Sequence, residues 1–62
     1  MTEFLVKVIV NTLNIRNGPG ASYTKLGEIT DKGVYIIVEE SNGWGKLKSG
    51  AGWINLKYTK KL

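Results

Sequence analysis

Residues 13–20 read LNIRNGPG, and few folds accommodate such a stretch. Leu13 and Ile15 alternate with Asn14 and Arg16, which is the two-residue period of a strand with one buried face. Asn17, Gly18, Pro19 and Gly20 then end that strand abruptly. Glycine accepts positive φ, proline fixes φ and lacks a donor, and asparagine tolerates left-handed backbone. The outward residues, Asn14 and Arg16, are thereby delivered to the root of a rigid loop, a position that often carries binding. Two roles are open to them: contact with a ligand, or bracing of the turn through side-chain-to-backbone hydrogen bonds.

The remaining chain is punctuated in the same way. Residues 4–10 predict a first strand with Phe4, Val6, Val8 and Val10 on one face and Leu5, Lys7 and Ile9 on the other. Residues 26–29 form a short extended piece after a loop carrying Tyr23, and residues 30–33 a turn. Residues 34–40 are rich in β-branched side chains and predict a strand with Val34, Ile36 and Val38 inward and Tyr35, Ile37 and Glu39 outward. Asn42-Gly43 is the strongest hairpin signal in the chain, and it returns into Trp44, Gly45, Lys46, Leu47 and Lys48. Residues 52–55 predict a short strand with Ile54 inward and Trp53 outward, and residues 56–58 either one helical turn or a final strand. The basic tail, residues 59–62, is expected to fray. No window of 11 or more residues shows a helical period, so many short strands separated by Gly turns predict an all-β barrel or sandwich.

Composition narrows the chemistry. A chain of 62 residues is one domain and buries only about 60% of its unfolded surface, enough for a small core and no deep catalytic cavity. It has no Cys and no His, which removes disulfides, thiol nucleophiles, His-based proton transfer and the usual zinc ligand sets. No metal or other cofactor is expected. The carboxylates Glu28, Asp31, Glu39 and Glu40 lie near turns or strand ends without a partner constellation. Nine Lys and Arg against five acids give a net charge of +4, which favours an anionic partner or surface. No apolar run is long enough to span a membrane, and FLVKVIV is too short for a secretory signal.

Three pieces in this order and spacing, LNIRNGPGASYTKLGEI, KGVYIIVEESNGW and GWINLKY, resemble the bacterial SH3 domain (SH3b), and the resemblance covers residues 13–58. It implies a small SH3-like barrel of five to seven short strands. It also implies a non-catalytic module that binds peptidoglycan, through a stem peptide or cross-bridge, beside a lytic enzyme such as an amidase or endolysin. Residues 1–62 are then a monomeric domain excised from a longer secreted or phage-released protein, working outside the cell at the bacterial wall. Two positions depart from the family pattern. Gly45 stands where an aromatic residue often follows the hairpin Trp, and the loop Ser49, Gly50, Ala51 and Gly52 is shorter and less polar than usual.

A barrel this small binds on its surface, where peptide grooves combine aromatic walls with a few hydrogen-bonding groups. The candidate ligand-binding residues are Asn14, Arg16, Tyr23, Trp44, Trp53 and Tyr58. Tyr35 is instead expected to pack across strands. Lys46 and Lys48 share the Trp44 face and either attract wall anions or form a solvated surface. Two further function classes compete: stacking of single-stranded nucleic acid on exposed aromatics, and capture of a Pro-rich or other peptide partner. Against the first, Arg16 is the only arginine and no dense basic stripe borders the aromatics.

Overall fold

The computed structural model describes residues 3–62. Seven antiparallel strands follow one another along the chain: β1 (Phe4–Val8), β2 (Leu13–Arg16), β3 (Lys25–Ile29), β4 (Val34–Ser41), β5 (Trp44–Leu47), β6 (Trp53–Asn55) and β7 (Thr59–Lys61). A single 3₁₀ turn, Leu56–Tyr58, separates the last two. The strands form one sheet in the order β3-β2-β6-β5-β4-β1-β7. Six of the seven contribute to one cluster: Val6 and Val8, Leu13, Ile29, Ile37, Leu47 and Ile54 are all buried. A flat sheet cannot bring one residue from each of six strands together, so the sheet curls around this core, as the expected all-β, SH3-like architecture requires.

Local sequence explains the corners. Asn42 and Gly43 take φ of 54° and 80°, the left-handed pair of a two-residue hairpin, and Ser41 faces Trp44 across it. Only a residue without a side chain fits Gly52, where φ is 136° and a Cβ would lie 2.5 Å from the Arg16 carbonyl oxygen. That close approach is where β2 meets β6, with Arg16 opposite Trp53.

On β1 the alternation is as predicted: Val6 and Val8 are buried and Leu5, Lys7 and Ile9 are exposed. On β4 the expected phase is reversed. Ile37 is fully buried, whereas Val34 and Ile36 are 52% and 38% exposed and Val38 is half-buried. Every residue of VYIIV is apolar, so alternation fits either phase. The neighbours decide: Ile37 faces Phe4 on β1 and Leu47 on β5, while Ile36 faces the exposed Leu5. The register then shifts between Ile37 and Glu39, leaving Val38 as the extra residue of a bulge. The same reversal turns Tyr35 inward. Its ring packs against the core, and its hydroxyl reaches Asp31.

The basic tail is not frayed. Thr59, Lys60 and Lys61 pair with Val8, Lys7 and Val6 of β1, and Leu62 N–H donates to the Leu5 carbonyl at 2.9 Å. Backbone pairing does not depend on side-chain hydrophobicity, and the Lys61 ammonium gains a position 4.7 Å above the Phe4 ring. Among the described residues no helix is long and apolar enough to cross a membrane.

Candidate functional site

The outward residues of β2, β5 and β6 meet the 3₁₀ turn in an open groove of about 350 Å³. Asn14 and Arg16 stand on β2, Trp44 opens β5, and Asn55 closes β6 directly opposite Trp44. Tyr58 ends the turn and lines the other side. Val10, Thr12, Leu13 and Ala21 complete the lining.

Each wall is fixed by local bonds. Asn55 caps the 3₁₀ turn: the Lys57 backbone N–H donates to its side-chain oxygen at 3.0 Å. The Leu56 N–H donates to the Gly43 carbonyl at 2.9 Å, tying the turn to the β4–β5 hairpin that carries Trp44. At the far end, the Ile9 N–H donates to the Tyr58 carbonyl at 3.1 Å, and the Thr59 hydroxyl donates to the Leu56 carbonyl at 2.9 Å. Tyr58 and Trp44 are therefore held from two directions. Gly45, behind Trp44, is buried because Ile37 and Leu56 fill the space beside it, where a Cβ would lie 2.9 and 2.8 Å from their side chains. The missing aromatic ring at this position leaves no gap; the core occupies it.

Arg16 combines both roles that its position allows. Its Nη1 donates to the Tyr23 carbonyl at 3.0 Å, bracing the loop, while the side chain lines the groove. Among the described residues no carboxylate lines the groove, and Arg16 is its one cation.

The structure brings together Asn14, Arg16, Trp44 and Tyr58 and leaves out Tyr23 and Trp53. Tyr23 folds its ring over the loop: a Cβ on Gly18 would collide with that ring, and one on Gly20 would touch it at 3.3 Å. Its place is explained by the glycines it covers. Trp53 lies on the same outer face, opposite Arg16 and Lys46, but two residue pairs along from Trp44 and Asn55 and outside the groove lining. Lys48 points elsewhere and pairs with Glu3 at 3.2 Å. Asn55 is the polar groove residue that strand patterning missed. The signal for it is an asparagine at the junction of a strand and a turn, the position of a helix cap.

Among the described residues no cluster of His, Cys, Asp and Glu is arranged to hold a metal. The family model of the bacterial SH3 domain matches residues 11–60. The chain belongs to that family. No curated protein and no solved structure matches it significantly. The match begins just before β2, so the bacterial SH3 region contains every groove-lining position named above except Val10. Bacterial SH3 domains are in general binding modules.

Proposed function

We propose that this bacterial SH3 domain is a non-catalytic module that binds peptidoglycan and targets a linked lytic enzyme to the bacterial wall, as part of a longer secreted or phage-released protein. The observation that carries the proposal is the groove in which Trp44 and Tyr58 face Asn14, Arg16 and Asn55. Aromatic walls give contact area at low entropic cost, and the polar groups fix orientation, which is the chemistry of an extended peptide site. A positive domain suits a wall rich in anionic polymers and peptide carboxylates.

The test is co-sedimentation with purified Gram-positive peptidoglycan, together with an assay for released soluble fragments. The domain pellets with the wall, releases nothing, and loses binding on Trp44→Ala. A wild-type domain that stays in the supernatant at physiological salt refutes the proposal.

A further inference from the structure

We infer that the groove recognises the carboxylate end of a peptide, with the Arg16 guanidinium and the Asn55 amide as its anchor. This rests on the wall-binding function proposed above and specifies which part of the wall peptide the groove takes.

The uncommitted polar groups of the groove are predominantly donors. Among the described residues the ion pairs are Lys25–Glu28 and Lys48–Glu3, so Arg16 has no carboxylate partner. One of its five N–H groups is used on the Tyr23 carbonyl, which holds the side chain in place and leaves the others available. Asn55 is oriented by the bond it accepts. A backbone N–H needs an oxygen acceptor, so the Lys57 N–H at 3.0 Å commits Oδ1 to the turn and leaves the NH₂ group uncommitted. Tyr58 brings a hydroxyl.

A ligand that satisfies these groups must supply acceptors and negative charge. With no carboxylate among the described residues of the lining, no negative charge there repels an anion. A planar carboxylate matches the guanidinium fork, which binds such groups in two parallel hydrogen bonds. Trp44 and Tyr58 line the same groove and offer apolar surface to the side chain of a terminal residue.

The probe is a short N-acetylated stem peptide ending in D-alanine, prepared as the free acid and as the C-terminal amide, and titrated calorimetrically into the full chain. The free acid binds about tenfold more tightly than the amide, or better, because a charge-assisted pair is lost in the amide. Arg16→Gln abolishes the preference for the acid over the amide, whereas Arg16→Lys retains part of that preference. Should Arg16→Gln fail to fold, the acid–amide comparison on the wild-type domain still decides. Equal affinity for acid and amide overturns the inference. So does the absence of binding by either peptide while Trp44-dependent co-sedimentation persists, and in that case wall binding stands without a carboxylate anchor. Acid preference without any co-sedimentation supports the carboxylate anchor and refutes the wall as its source.

Discussion

The Tyr35 hydroxyl donates a 2.7 Å hydrogen bond to Asp31 Oδ1, and the Gly33 N–H donates to the same oxygen at 3.1 Å. The Tyr35 bond, followed by the Gly33 bond, holds the Asp31 carboxyl below its ordinary pKa. The same bond, with burial and the charge of Asp31, pushes the Tyr35 phenol up. The folded state therefore binds fewer protons than the unfolded chain at acid pH. The contribution of Asp31 to stability is present above its ordinary pKa and is lost as pH falls through the depressed one. That of Tyr35 is present below its ordinary pKa and is lost as pH rises through the raised one. Melting temperature followed across pH falls at both ends. Asp31→Asn flattens the acid limb, and Tyr35→Phe reduces both; an acid limb unchanged in Asp31→Asn contradicts the assignment.

Ile37 and Ile36 are neighbours with opposite surroundings. Ile37→Ala removes a fully buried side chain from the centre of the core and costs about 2–5 kcal/mol. Ile36→Ala, on the outer face beside Leu5, costs less than about 1 kcal/mol. Urea unfolding of the two variants separates them, and equal losses contradict the register of β4.

Gly45→Ala places a methyl group 2.8 Å from Leu56 and 2.9 Å from Ile37. Overpacking of this kind costs about 1–3 kcal/mol. Because Leu56 belongs to the turn that carries Tyr58, the variant also weakens ligand binding. Thermal melts read the first effect. Sedimentation of the fraction still folded reads the second.

Trp44→Ala and Tyr58→Ala each weaken wall binding by about 1–3 kcal/mol while the fold persists. Raising salt has a smaller effect, since screening weakens the contribution of Arg16 and the lysines and leaves the aromatic contacts. Binding that vanishes at moderate salt yet survives both truncations indicates nonspecific attraction of charge, and single-stranded nucleic acid is then the partner to test. Tyr23→Ala loosens the loop it covers and affects binding only through Arg16.

Much of this was legible in the residues themselves. Leu13 and Ile15 turned inward and Asn14 and Arg16 outward because polar and apolar residues alternate there. Asn42-Gly43 marked its hairpin through the positive φ that those residues tolerate. The phase of β4 was not legible, because an unbroken apolar run carries no alternation and the bulge at Val38 is set by the partner strand. Nor was β7, since Thr59, Lys60 and Lys61 are held by backbone bonds that leave no mark in side-chain pattern. Period two identified the face on which Trp44 and Trp53 both lie. It did not show where along that face the groove ends, because this depends on how the 3₁₀ turn folds back onto the hairpin.

The pairing of β7 with β1 sets Val6 beside Lys61, with Leu62 bonded to Leu5. The first and last strands thus run antiparallel at one edge, and the chain enters and leaves the domain at neighbouring points. Domains with adjoining ends tolerate insertion into a host loop and circular permutation. This one has the geometry of a cassette: spliced into an exposed turn of an unrelated scaffold, it requires little separation of the two splice points and carries its groove, which is built from β2, β5, β6 and the turn, along intact.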